Sequence, residues 1–155
     1  MKKILKHQDT KPQVQFQIID QYLKNSAFMA IGVPEIFAKI KKAFKIELSI
    51  DVKVIDKSSG IYEVSLDIKV KALKDIITVL TVDVEYAGLF QIIDESTEEQ
   101  KQQILKVYCP NLIFPFARSV IANITREGGF MPLMLDPVDF AGLYVQKCQH
   151  NETLH

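Results

Sequence analysis

Apolar and polar residues alternate strictly from Lys45 to Val54. Ile46, Leu48, Ile50, Val52 and Val54 fall on one side, and Lys45, Glu47, Ser49, Asp51 and Lys53 on the other. A period of two is that of a strand with one wet face. Asp56-Lys57-Ser58-Ser59-Gly60 then reads as a turn. A second alternating run sends Tyr62, Val64, Leu66, Ile68, Val70 and Ala72 inward. After a turn at Leu73-Lys74-Asp75, a third run from Ile76 to Tyr86 sends Leu80, Val82, Val84 and Tyr86 inward. Turns this short join antiparallel neighbours, so the three runs form a meander.

An earlier strand is expected from Val14 to Leu23, with Phe16, Ile18 and Tyr22 on one face and Gln15, Gln17 and Gln21 on the other. Ser26 to Lys42 is then a long connection containing Gly32 and Pro34, too long for a hairpin and suited to a crossover. It carries Phe28, Met29, Ile31, Val33, Ile36, Phe37 and Ile40, more apolar side chains than a free loop should hold. Either they pack on the body of the domain or they line a groove.

Beyond Gly88 the period changes. Ser96 or Thr97 can cap a helix from about Glu98 to Tyr108, with acids in its first turn, and Pro110 interrupts it. From about Phe116, the residues Phe116, Ala117, Val120, Ile121 and Ile124 lay an apolar stripe along a second helix. Arg118, Ser119, Asn123 and Arg126 take its other face, and Gly128-Gly129 ends it. Pro137 opens a short last helix to about Lys147. The prediction is an α+β domain: a four-stranded antiparallel sheet with a long crossover after strand 1, covered on one face by helices.

With 155 residues, 48% apolar and 25% charged, the chain suits a single globular domain. That domain is expected over residues 13–148, between flexible tails at 1–12 and 149–155. No apolar run reaches the roughly 18 residues of a membrane span. The basic start, Met-Lys-Lys-Ile-Leu-Lys, lacks the apolar core of a secretion signal. Two cysteines, Cys109 and Cys148, are too few for a disulfide framework, so a cytoplasmic location is expected. Charge changes the picture only locally. Residues 1–45 hold nine lysines against Asp9, Asp20 and Glu35, a balance of +6, and the remainder carries −6. These lysines lie among apolar residues without arginine or glycine, which fits a solvated face better than a nucleic-acid arm.

Catalytic signatures are absent from the sequence: no G-x-S-x-G, H-E-x-x-H, Walker A or G-x-G-x-x-G run occurs. His7, His150 and His155 all lie in the expected tails, leaving Cys109 without a base, so a small buried thiol is expected there. The acids at 47, 51, 63, 67, 83 and 85, interleaved with Lys45, Lys53, Lys69 and Lys71, read as a solvated strand face. No metal, cofactor or catalytic residue is assigned.

The most idiosyncratic stretch is Cys109-Pro110-Asn111-Leu112-Ile113-Phe114-Pro115-Phe116-Ala117-Arg118. Gly129-Phe130-Met131-Pro132 and Leu135-Asp136-Pro137-Val138-Asp139-Phe140 follow it, and Gly88-Leu89-Phe90 precedes it. These residues resemble the SecB family of bacterial export chaperones, and the resemblance covers roughly Val14 to Gln149. It implies a homotetramer built as a dimer of dimers, with no enzymatic activity and no cofactor. Such a protein holds unfolded precursor proteins in apolar grooves and passes them to the SecA motor, with no nucleic acid and no membrane insertion.

The candidate client groove comprises Phe28, Ile31, Phe37, Ile40 and Phe44 from the crossover, with Leu112, Phe116, Phe130 and Met131 on or after the main helix. Each has a core-packing alternative. For SecA docking the resemblance points to Asp83, Thr81, Asn25 and Met29, where Asp83 matches an acidic strand position. The family's two further acids are Asn25 and Met29 here, and a family leucine is Thr81, so this face is less acidic than the family's. Three alternatives stay open: a SecB-like chaperone dedicated to one client such as an antitoxin, a small enzyme with an apolar pocket, and a plain structural oligomer.

Overall fold

The computed structural model describes residues 15–40, 44–93 and 97–153. His7, His155, Ser96, Val14 and the end of the connection at Lys42 lie outside the described residues. Four strands, β1 (Gln15–Ala30), β2 (Lys45–Asp56), β3 (Ile61–Lys74) and β4 (Ile77–Ile93), form one antiparallel sheet in the order β1-β4-β3-β2. The fold class is the one the alternation predicted. The order also explains the crossover: β1 and β2 occupy opposite edges, so the chain between them must traverse the width of the sheet. A short helix, α1 (Glu35–Lys39), interrupts that connection.

β1 is longer than its alternation suggested and takes Phe28 and Met29 out of the connection into the sheet. Its register shifts twice against β4, between Ile18 and Asp20 and between Leu23 and Asn25. Each bulge inserts one residue and reverses which face the next side chain meets. Tyr22 therefore lies opposite Ala87 on the outer face, not with Phe16 and Ile18 as strict alternation required. β4 likewise runs past Tyr86 to Ile93.

The helical half departs more. Thr97 caps α2 (Glu98–Gln103) in a reciprocal capping box with Gln100. The helix then does not stop at Pro110. A π-helical turn over Ile104–Tyr108 follows, and the Cys109 N–H donates to the Ile104 carbonyl five residues back. This wider turn lets the chain enter α3 (Cys109–Glu127) with Pro110 in its first turn, where a missing N–H costs little. Pro115 sits on the exposed side of α3, where the hydrogen bond it removes faces solvent. The last helix, α4 (Phe140–Thr153), starts three residues after Pro137, because the Asp139 carboxylate accepts the Gly142 N–H at 3.0 Å. Residues 149–153 are helical.

The core lies between the inner sheet face and the helices. Val64, Leu66, Ile68, Val70 and Ala72 of β3 and Leu80, Val82, Val84 and Phe90 of β4 meet Leu105, Ile113, Ala117 and Ile121. The run Glu98–Glu127 is long and apolar enough to cross a membrane, but half of its most apolar stretch is buried in this core. A Cβ on Gly88 would lie 2.6 Å from Phe90 Cε2 and 3.0 Å from Ile113 Cγ2, which accounts for glycine beneath the helix. The helices cover the two central strands fully and the edge strands only in part, where Phe16 and Phe28 of β1 and Ile50 and Val52 of β2 pack against the core. Ile18 and Leu23 on β1, and Ile46 and Leu48 on β2, point inward yet remain exposed. Apolar surface left wet on this scale marks places where something else binds.

Candidate functional site: an aromatic groove, an apolar helix face and the outer sheet

Phe130, buried at the end of the turn after α3, gathers three rings from three elements. Phe37 of α1 lies 5.2 Å from it between centroids, Phe44 before β2 6.1 Å and Phe28 of β1 6.3 Å, all tilted or edge-on. The turn is held from within. Thr125 is fully buried, donates its hydroxyl to carbonyls of its own helix, and accepts the Leu133 N–H at 2.9 Å. Gly129 turns the chain at φ +89°, and Gly128 leaves space that the Phe28 ring fills, 2.3 Å from where a Cβ would stand. Ile40 and Phe44 are half-buried, while Phe37, Ile31 and Met131 are exposed. Phe28, Phe37 and Phe44 thus pack around Phe130 as one aromatic cluster, with the Phe37 ring left open to solvent. Such a surface takes up large apolar side chains with little demand on their identity.

Leu112 and Phe116 do not join this cluster. They are each 47% exposed and lie further back along α3, where Phe116 stacks on Tyr86 at 6.2 Å. The exposed Tyr108 stacks on Phe16 of β1 at 6.5 Å. With Ile18 and Leu23 these side chains form a second wet apolar surface between α3 and β1.

Asn25, Met29, Thr81 and Asp83 come together on the outer face of the sheet. The register pairs Met29 with Thr81, Ala27 with Asp83 and Asn25 with Glu85, so all share one side. Twist makes this face concave, and Met29, Thr81 and Asp83 line a trough of about 640 Å³ with Glu47, Lys69 and Lys71. Two acids and two lysines give the trough no net charge. Burial, and then the Asp67 carboxylate beside it, push the Asp83 pKa up.

Glu63, set by its alternation among the solvated acids of the outer face, is only 6% exposed. Its carboxylate accepts the Lys24 ammonium at 2.8 Å and the Tyr22 hydroxyl. The Lys24 and Tyr22 hydrogen bonds hold the Glu63 pKa below the ordinary carboxylate range. The consecutive apolar pair Ile18-Ile19, which breaks the period of two, was the available signal for the bulge that brings Tyr22 there. Cys109 is fully buried as expected, and burial pushes its thiol up to about 12, far from a nucleophile's range. Among the described residues no group of three or more His, Cys, Asp or Glu is placed to hold a metal ion.

Residues 8–151 match the family described as preprotein translocase subunit SecB. The protein-export protein SecB of Maricaulis maris is 44% identical over 130 residues, covering 84% of this chain and 75% of the relative. That of Parvibaculum lavamentivorans is 37% identical, covering 87% of this chain and 80% of the relative. That of Rickettsia massiliae is 36% identical, covering 93% of both. A SecB-like chaperone of Mycobacterium tuberculosis, solved in complex with a ChAD peptide from an antitoxin, superposes with a TM-score of 0.67 at 20% identity. The match covers 79% of this chain and 90% of that one, and shares the fold. On the strength of a family match along nearly its whole length, the chain belongs to the SecB family of protein-export chaperones.

Proposed function

We propose that the protein binds unfolded precursor polypeptides, keeps them competent for translocation and delivers them to SecA, working in the cytoplasm as a homotetramer built from two dimers. The observation that carries this reading is the aromatic cluster of Phe28, Phe37 and Phe44 around buried Phe130, open to solvent at Phe37, which we read as the client groove. Unfolded chains expose the large apolar side chains such a groove accepts, and folded ones hide them. Clients that fold slowly stay available for capture. The family is not an enzyme family, and the groove supplies binding without catalysis.

Assembly is supported by the second surface. Ile18, Leu23, Tyr108, Leu112 and Phe116 expose more contiguous apolar area than a solvated face needs, and a copy of the same surface would cover it. SecA docking is supported by the placement of Asp83, Thr81, Asn25 and Met29 on one accessible face, away from both apolar surfaces. A chaperone dedicated to one client is the second reading, favoured by the antitoxin peptide on the mycobacterial neighbour. The curated export relatives, at up to 44% identity against 20% for that neighbour, weigh toward export.

Native mass spectrometry of the protein with one export precursor, presented unfolded and folded, tests the reading. A tetramer that takes up only the unfolded chain supports it. A monomer, or a tetramer indifferent to both forms, defeats it. Protection of a single partner with no uptake of unrelated unfolded precursors would establish the dedicated chaperone instead.

A further inference from the structure

The end of β1 carries residues of both candidate sites, one on each face. From Asn25 to Ala30 the strand presents Asn25, Ala27 and Met29 outward, and Ser26, Phe28 and Ala30 inward, where Phe28 meets Phe130. Each face has one polar residue, one alanine and one large apolar side chain. A strand whose faces are so alike specifies its own register weakly, and a slip of one residue exchanges them. In the register that holds from Asp20 to Leu23, Phe28 would lie opposite Thr81 on the outer face and Met29 opposite Leu80 inside. The second bulge, at Lys24, is what returns Phe28 to the aromatic cluster and Met29 to the outer face.

The bulged residue is held. Lys24 gives its ammonium to the Glu63 carboxylate at 2.8 Å, with Glu85 further off at 3.9 Å. Tyr22, turned outward by the first bulge, donates its hydroxyl to the same carboxylate. Beneath them Ala87 of β4 and Ser65 of β3 pair with each other and are buried although they belong to the outer face. Their small side chains leave room for Tyr22 and Lys24 to lie across β4. The register of β3 against β4 is unbroken from Ile61 to Ala72, so Glu63 is a fixed point for both bulges. In the slipped register Lys24 would fall directly opposite Glu85, whereas Glu63 stands opposite Leu89, four residues along β4. The sheltered carboxylate would then lose its lysine, which disfavours the slip.

Resting on the client and SecA readings above, we propose that Glu63, with Lys24 and Tyr22, is a positioning residue for both sites. By holding the two bulges it fixes which face of β1 carries Phe28 and which carries Asn25 and Met29.

Disulfide trapping reads the register without any ligand. In a Cys148→Ser background, Ala27→Cys with Asp83→Cys places two thiols directly opposite in the observed register, and Ser26→Cys with Asp83→Cys does so only in the slipped one. The ratio of the second trapping rate to the first is measured on the intact assembly. It is compared with the ratio in Lys24→Met/Glu63→Gln, which removes the ion pair, leaves no unpaired charge and keeps an acceptor for Tyr22. The ratio is expected to rise about tenfold in that double variant and to change less than about twofold with Lys24→Arg. Without the added cysteines, the double variant should bind an unfolded client and SecA each severalfold more weakly, while its urea midpoint holds. Lys24→Met alone serves where the double variant does not fold. An unchanged ratio overturns the positioning role and leaves the client and SecA readings intact. A raised ratio with both affinities unchanged overturns it too, because the strand would then move without the sites. If the natural protein binds neither client nor SecA, those readings fall and the positioning of their sites falls with them, whatever the ratio.

Discussion

Lys24 and Glu63, 39 residues apart in the chain, meet at 2.8 Å on the outer face of the sheet, reaching over β4 between their strands. Lys24 stands at the second bulge of β1, opposite no residue of β4, and is free to lean across. Tyr22 joins from the same side. The three side chains fasten β1 to β3, two strands away.

Removing the acid should loosen that fastening. Glu63→Gln is expected to cost about 1–3 kcal/mol of stability, because it leaves a lysine and a tyrosine without their charged acceptor. The pH dependence has a definite sign. The folded Glu63 pKa is depressed, so its contribution is complete above the unfolded value of about 4.3 and is lost as pH falls through the lower folded value. Tyr22 is pushed up to about 12, chiefly by burial and then by Glu63, so it favours the fold below about pH 10 and loses that as pH rises toward 12. Urea denaturation at several pH values measures both; equal acid sensitivity of the natural protein and Glu63→Gln would remove Glu63 from the account.

Gly128→Ala separates groove from core. Its Cβ would meet the Phe28 ring at 2.3 Å, while Gly128 itself has ordinary helical φ of −74°. The ring must leave its place against Phe130, so affinity for an unfolded client is expected to fall about tenfold, ~1.4 kcal/mol. Stability should fall by only about 1–3 kcal/mol. Unchanged client affinity by titration calorimetry would mean that clients do not use the Phe28 end of the groove.

At Asp83, stability and partner binding should move in opposite directions. Its raised pKa means that the charged form is disfavoured in the fold at neutral pH, a penalty that vanishes in acid. Asp83→Asn is therefore expected to gain up to about 1 kcal/mol of stability near pH 7 and nothing at low pH. The same change should weaken SecA binding severalfold, and Asp83→Lys more strongly. SecA affinity unaffected by charge reversal would take Asp83 out of the docking surface.

Phe116→Glu puts a charge into the uncovered face beside β1. Phe116 contributes more to that surface than to the core, so the fold should survive with unchanged far-UV circular dichroism. The assembly should dissociate to smaller species in native mass spectra, since an unpaired buried charge costs several kcal/mol. A variant that stays tetrameric would place the subunit contact elsewhere.

The two thiols should differ sharply in reactivity. Cys109 is fully buried with its thiol pushed up to about 12, and Cys148 is exposed on α4. Alkylation at pH 8 should modify one cysteine in the native protein and two in denaturant. Two rapid native modifications would show that α3 opens readily from the sheet.

Much of this protein is legible along the chain. The alternation from Lys45 to Tyr86 determined three strands and the face each buries, because a strand's side chains depend only on their own period. Thr97 and the Gly128-Gly129 pair marked helix ends for equally local reasons, and the Cys109–Arg118 motif carried the family. Tertiary structure decided the rest. The first bulge of β1 turned Tyr22 outward and the second restored the original alternation by Asn25, because register is settled against the neighbouring strand and not within one. A π-helical turn carried the helix past Pro110, because burying Ile113 and Ala117 on the sheet favours continuing it. Leu112 and Phe116, grouped with Phe130 by their apolar character, lie on a separate surface. Glu63, polar and set among solvated acids, is buried. Hydrophobicity determines which residues seek cover; only the packing of distant strands and helices decides which of them find it, and which remain open for a client.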